Sequence, residues 1–323
     1  NSRDEFDMKD RNLLHKIDYQ KGCVEINGEV YPLKDTNFPT IDPSNPYALT
    51  DEEKDVVKKL IISFKGNEKL RKHINCLYSK GSLYLVRNGN LLYHGSMLMN
   101  EDGSFKKVKI DGEEYAGKAL FDKIDSLVRD GYYEKDPVKK RFGEDFIWFL
   151  WCGPYSPQFD KDKMATFERY FIADKATHKE TKGVYSILKQ RKDICEKILE
   201  EFGVKGQYTH IINGHIPVKA HKGETPIKAE GKLLVIDGGF SKAYQEETGI
   251  AGYTLIFNSH GLKLVQHHPF ESAEKAALLG KDIISTTSVV EFVSNRMLVK
   301  DTDNGKRLMS QVSDLKNLLE AYR

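Results

Sequence analysis

Tyr208-Thr209-His210-Ile211-Ile212-Asn213-Gly214-His215-Ile216-Pro217-Val218 reads as a short apolar strand that ends in Gly-His. The proline just beyond it stops further sheet pairing. Gly214 allows a tight turn, so the His215 side chain projects from the end of the strand. In open α/β sheets ligands sit outside the carboxyl ends of the strands. Imidazole is also the commonest side-chain metal ligand. A bare Gly-His pair is more often a satisfied loop histidine than a ligand, so other parts of the chain must decide between the two.

A second strand end repeats the pattern. Ser82–Val86 and Leu91–Tyr93 flank Asn88-Gly89, the preferred pair of a two-residue hairpin turn, and the second of these strands runs into His94-Gly95-Ser96. Further on, Leu233-Leu234-Val235-Ile236 is a buried strand that ends in Asp237-Gly238-Gly239. Two imidazoles at strand ends can converge on one ion, because a metal centre needs ligands from separate rigid elements. They are too few for a hydrolytic centre. Hard divalent ions also need carboxylates, and Asp237 is the nearest candidate, as a turn former or as a group that orients a ligand.

Bulk properties narrow the class. The 323 residues suffice for one large domain or two ordinary ones. Lys+Arg 50 against Asp+Glu 48 leaves a net charge of only +2, which does not point to a nucleic acid or an acidic membrane as partner. No run of about 18 apolar residues is present, so no transmembrane helix is expected. Cys23, Cys76, Cys152 and Cys195 are widely spaced and form no CxxC pair. That spacing favours reduced thiols in the cytoplasm over zinc knuckles or a disulfide framework. The chain starts at Asn1-Ser2-Arg3-Asp4, without an initiator methionine or a signal peptide, as a processed or partial polypeptide would.

The pattern along the chain is α/β with α+β character. Residues 1–80 read as loops followed by helices, 81–270 as strand-rich and 271–323 as helical. Thr50-Asp51-Glu52-Glu53 is a capping box ahead of a helix with Val56, Val57, Leu60, Ile61 and Phe64 at helical spacing. Gly66-Asn67 breaks that helix before a second one. Hairpins are expected around Asp111-Gly112 and at Asn258-Ser259-His260-Gly261. Helices are expected over 119–132, 184–202 (closed by Gly203) and 306–321. Phe146-Ile147-Trp148-Phe149-Leu150-Trp151 reads as a buried strand feeding a proline-rich loop.

Basic side chains gather around the Gly-His segment: Lys219, His221, Lys222, Lys228 and Lys242. They suit phosphate oxygens, although a lysine-rich loop is ordinarily just solvated. Arg169, between aromatics in Phe167-Glu168-Arg169-Tyr170-Phe171, suggests either a phosphate clamp or a partner for Glu168. No nucleotide-binding glycine loop, HExxH or GxSxG occurs. His267-His268 is an unlikely pair for one ion, since adjacent strand residues point to opposite faces.

Taken together, Asn213-Gly214-His215-Ile216-Pro217-Val218-Lys219, Tyr93-His94-Gly95 and Ile236-Asp237-Gly238-Gly239 carry a specific resemblance. So do Leu33–Thr40, Leu77–Tyr84, Phe149–Pro154, Lys163–Phe171 and Gly249–Ile256. The chain resembles, from end to end, the class III fructose-1,6-bisphosphatases of firmicutes and related bacteria, within the calcineurin-like metallophosphoesterase superfamily. That superfamily builds a dinuclear metal centre from five sequence blocks. His94 and His215 match the last two, with Ile216 in place of the usual threonine. The first three, Asp-x-His, Gly-Asp-x-x-Asp and Gly-Asn-His-Asp/Glu, do not occur here. They lie upstream in the family, so the chain is expected to correspond to its C-terminal half.

The resemblance implies part of a two-sheet α/β/β/α sandwich with added helices and hairpins. It also implies hydrolysis of the 1-phosphate of fructose 1,6-bisphosphate at a pair of Mn²⁺ ions in the complete enzyme. His94 and His215 would be metal ligands, with Asn213 and Asp237 orienting them and Arg169, Lys219 and Lys242 meeting the sugar phosphates. The expected partners are the substrate, the N-terminal half of the same protein and further copies in a homo-oligomer, in the cytoplasm. Two alternatives stand beside this: a phosphoprotein phosphatase built on the same centre, and a non-catalytic sugar-phosphate-binding or assembly half.

Overall fold

The computed structural model describes residues 1–237, 241–269, 272–280 and 284–322, which fold into two units that each mix helices and strands. The first unit comprises Asn1–Leu83, Ser96–Leu98 and Phe105–Val184; the second comprises Tyr84–Gly95, Met99–Ser104 and Tyr185–Arg323.

In the first unit, β1 (Ile17–Asp18), β2 (Cys23–Ile26) and β3 (Glu29–Pro32) make an antiparallel sheet over Val24, Ile26 and Ile172. Helix α1 (Asp51–Gly66) starts at the expected capping box: the Thr50 hydroxyl accepts the Glu53 N–H at 3.2 Å, and the Glu53 carboxylate accepts the Thr50 N–H at 2.8 Å. Asn67 then ends α1 and caps α2 (Glu68–Lys80) by accepting the Leu70 N–H. The apolar face of α1 is uncovered, with Leu60 54% and Phe64 66% exposed.

Hairpin β6 (Val108–Ile110)–β7 (Glu113–Tyr115) turns at Asp111-Gly112, both with positive φ. Helix α3 (Gly117–Tyr133) then packs on α4 (Pro137–Cys152). The stretch 146–151, expected to be a buried strand, is the last part of α4. Asp136 accepts the N–H groups of Val138 and Lys139, and Pro137 fits the first helical position, so the helix is already running when the aromatic stretch begins. Phe146 and Leu150, one turn apart, are buried with Ile124 and Leu127, while Trp148 and Trp151 on the other face are exposed. A short apolar run cannot tell these two structures apart by itself. Helix α5 (Thr166–Phe171) completes the unit.

The second unit holds a five-stranded sheet in the order β4–β5–β8–β10–β9. Its strands are β4 (Tyr84–Arg87), β5 (Asn90–Tyr93), β8 (His210–Asn213), β9 (Ile227–Lys228) and β10 (Leu233–Val235). The central three are parallel, and β4 and β9 are antiparallel edges. β8 is buried along its whole length, its polar ends His210 and Asn213 as well as Ile211 and Ile212.

The helix expected over 184–202 is two: α6 (Tyr185–Leu188) and α7 (Lys192–Glu201). Extended Arg191 separates them, while the Tyr185 hydroxyl meets that of Tyr93 at 2.5 Å. α7 packs on β8, and Gly203 (φ 72°) closes it with the Val204 N–H bonded to the Leu199 carbonyl. Cys195 is buried on α7, which pushes its thiol up to about 12, as for a small core hydrophobe. All four cysteines are free.

Helix α8 (Lys242–Thr248) precedes a second sheet of β11 (Gly252–Asn258), β12 (Gly261–His267) and β13 (Ser285–Phe292). Ile212 and Leu234 of the first sheet pack on Leu262 of the second. α9 (Ala273–Leu279) and α10 (Asp303–Ala321) flank β13, a strand that lies in the stretch read as helical. The apolar side of α10 is uncovered like that of α1, with Leu308 50% and Leu315 65% exposed. No helix among the described residues is long and apolar enough to cross a membrane.

Between the two sheets, buried His210 sets its Nε2 3.3 Å from a carboxylate oxygen of the partly buried Glu291. Burial, helped by the Lys232 charge, pushes His210 from 6.5 down to about 4, and burial pushes Glu291 up. At neutral pH the imidazole is therefore uncharged, and the contact is not an ion pair.

Two predictions follow from this packing. A Cβ at Gly143 would lie 2.3 Å from the Gly131 backbone nitrogen, so α3 and α4 touch backbone to backbone. Gly143→Ala gains about 1 kcal/mol of helix propensity and loses more to overpacking. A net loss in urea-melt stability is expected; a gain would show that the helices do not approach so closely. The folded pKa of His210 lies below its unfolded value, so its contribution is complete above pH 6.5 and lost as pH falls towards about 4. Glu291 acts in the opposite sense. Relative to His210→Gln, the wild type should therefore lose up to about 3 kcal/mol across that window. Parallel pH profiles would contradict the assignment.

Candidate functional site

The parallel register sets Tyr93 of β5 and Val235 of β10 against Asn213 of β8. The residues that follow, His94, Gly214-His215 and Ile236-Asp237, therefore leave the sheet along one edge, at the carboxyl ends of three adjacent strands. The Gly214 N–H bonds to the His94 carbonyl at 3.3 Å, and the Ile236 N–H bonds to the Asn213 carbonyl at 3.0 Å, so pairing continues just past the strands. Gly238 and Gly239 of the expected Asp-Gly-Gly turn lie outside the described residues.

His94 and His215 come together as neighbours. Their ring centroids are 5.3 Å apart and the rings are nearly perpendicular, at 86°. His94 is exposed and His215 half-buried, so both can be reached from solvent. His215 adopts φ 72°, and the Ile216 N–H bonds to the Gly214 carbonyl at 2.9 Å. These are the features of a γ-turn with a left-handed central residue, a rare and strained conformation for a side chain of this size.

Gly214 is needed for close approach. A Cβ there would sit 3.2 Å from His94 Nδ1 and 3.8 Å from an Asp237 carboxylate oxygen. Asn213, only 2% exposed, reaches back across the sheet: its side-chain amide donates to the carbonyls of Tyr93 (3.2 Å), His94 (3.2 Å) and Gly95 (2.7 Å). The Asp237 carbonyl accepts the Val218 N–H at 2.9 Å, which ties the loop after His215 to the end of β10.

Two neighbouring imidazoles fit part of the shell of a divalent cation. They do not make a whole one. Among the described residues, no group of three or more His, Cys, Asp or Glu side chains is gathered to hold an ion.

The basic candidates are more committed than their sequence suggests. Lys219 lies on the loop after His215, and its ammonium pairs with Glu247 of α8 at 2.6 Å. Lys242 is the first residue of α8 and is exposed. Arg169 belongs to the first unit, where it pairs with Glu180 at 3.0 Å and not with Glu168. Glu168 is fully buried and takes a two-pronged bond from Arg11, at 2.8 and 3.0 Å. Burial alone would raise the Glu168 carboxyl; Arg11, with Lys163 3.7 Å away, outweighs it and holds the group below its usual value. Glu180 and Glu247 carried no sequence signal, because each lies many residues from the cation that it meets.

The model of the firmicute fructose-1,6-bisphosphatase family matches residues 1–323. The chain is 64% identical over 324 residues to a class 3 fructose-1,6-bisphosphatase of Bacteroides fragilis, covering 100% of this chain and 49% of that protein. It is 59% identical to that of Bacteroides thetaiotaomicron (99% and 48% covered) and 57% identical to that of Alkaliphilus metalliredigens (100% and 49%). The chain thus spans about half the length of the curated relatives it matches. No solved structure matches it significantly. With strand-end histidines in the expected places and a match along its whole length, the chain belongs to the firmicute fructose-1,6-bisphosphatase family.

Proposed function

We propose that this chain supplies the histidine side of a two-metal phosphomonoesterase centre. In the full-length protein that centre removes the 1-phosphate of fructose 1,6-bisphosphate, giving fructose 6-phosphate for gluconeogenesis. The observation that carries the proposal is the meeting of His94 and His215 at adjacent parallel strand ends, in a chain that the family matches from end to end. His94 and His215 would hold the metal, for which Mn²⁺ is the proposed ion. When bound, such ions supply charge neutralisation at the phosphoryl oxygens and activation of water.

The chain's own residues position and neutralise. Asp237 borders the Gly214 turn, where it can orient the His94 ring. Lys219 and Lys242 follow the strand ends that bear His215 and Asp237, and are proposed to meet the sugar phosphates. Arg169 belongs to the other unit and is held by Glu180. The four free thiols suit the cytoplasm.

The incomplete shell favours a second reading of the isolated chain, as a non-catalytic half. The missing carboxylates would come from the part of the full-length protein that this chain does not match. The uncovered apolar faces of α1 and α10 agree with a chain that has a large polypeptide partner, either that remaining part or further copies.

The test is an assay with Mn²⁺ on the chain alone and on the chain co-expressed with the remainder of a full-length relative. Fructose 1,6-bisphosphate and a phosphopeptide are offered side by side. Sugar-phosphate turnover is expected only for the combination, and His215→Ala should lower it roughly 100-fold or more. Turnover by the chain alone would refute the need for the other half. Turnover of the peptide only would replace the sugar phosphatase with a phosphoprotein phosphatase.

A further inference from the structure

We infer that Asn213 is a positioning residue that locks the two imidazoles into one unit, acting through the backbone and not through a ring nitrogen. The inference rests on the metal reading above and adds to it how the pair is held. A residue that orients a ligating histidine ordinarily bonds the free ring N–H. Asn213 makes no such bond. Its side-chain amide donates across β5 to three consecutive carbonyls, Tyr93, His94 and Gly95, at 3.2, 3.2 and 2.7 Å.

Chemistry requires an amide here. The group has two N–H donors and meets three acceptors, so one donor is shared between carbonyls. The carbonyls belong to the exit of β5, where the ladder thins to a single 3.3 Å bond from the Gly214 N–H to the His94 carbonyl. A carboxylate in the same place would set negative charge against three carbonyl oxygens. A shorter hydroxyl would reach one carbonyl at most.

The consequence is geometric. Asn213 is the residue before the Gly214-His215 turn, so one side chain fixes the backbone on both sides of the site. Through its main chain it sets where His215 departs, and through its side chain it sets where His94 departs. Gly214 then allows His94 Nδ1 to come within 3.2 Å of the place a Cβ would occupy. His215 is held at φ 72°, a conformation that persists only where its surroundings over-determine it. Loss of the Asn213 amide frees the His94 loop and removes a support for that strain, so the two ligands should stop acting together.

The experiment uses the chain itself with Mn²⁺ alone as the probe. Electron spin-echo spectroscopy counts the imidazole nitrogens on the bound ion, and a titration gives its affinity. The wild type should show two coupled nitrogens. Asn213→Ala and the isosteric Asn213→Asp should show one, with Mn²⁺ binding about 10–100-fold weaker. Circular dichroism and urea melts identify variants that fail to fold. Should these two fail, Asn213→Ser keeps one short donor and should bind with intermediate affinity. Two coupled nitrogens with unchanged affinity in a folded variant would overturn the positioning role and leave the metal reading standing. A wild type that binds Mn²⁺ through fewer than two coupled nitrogens would overturn both.

Discussion

The parallel register of β5, β8 and β10 is the constraint on which the site depends. Once Tyr93, Asn213 and Val235 are level, the next residues of all three strands leave along one edge. His94, His215 and Asp237 are far apart in sequence, and only this pairing makes them neighbours. A slip of one residue would turn each side chain to the opposite face and separate the imidazoles. The register is well specified because β8 is buried on both sides, by α7 on one and by the second sheet on the other. The stability of the core and the geometry of the edge are therefore set by the same contacts.

Local chemistry made much of this fold legible. Asn88-Gly89, Asp111-Gly112, the Thr50 capping box and the Gly203 stop are short-range signals, and each forms the turn or cap that its residues favour. Strand ends running into His-Gly or Gly-His were also legible, because a short apolar run and a terminal glycine are local properties. Signals that depend on distant partners were not. The aromatic run at 146–151 has no decisive period of its own, and it is helical because of a cap ten residues earlier and a glycine contact with α3. The break between α6 and α7 falls at 189–191, where Arg191 turns extended, and no glycine or proline marks it. Lys219 read as a phosphate contact and Arg169 as a clamp or a partner of Glu168, yet they pair with Glu247 and Glu180, which no spacing announces.

Amphipathic helices ordinarily turn their apolar stripe to a core, but α1 and α10 keep theirs in solvent. At the strand ends, no group of three or more potential metal ligands is gathered among the described residues. The chain is about half as long as the curated relatives it matches.

The central claim is that His94 and His215 bind one metal centre together. Histidine-labelled protein titrated with Mn²⁺ and followed by NMR tests it directly, because a paramagnetic ion broadens the nearest ring signals first. The account predicts that the His94 and His215 signals vanish together, before those of the remaining histidines. Loss of the His267 and His268 signals first, or uniform broadening of all rings, would contradict it.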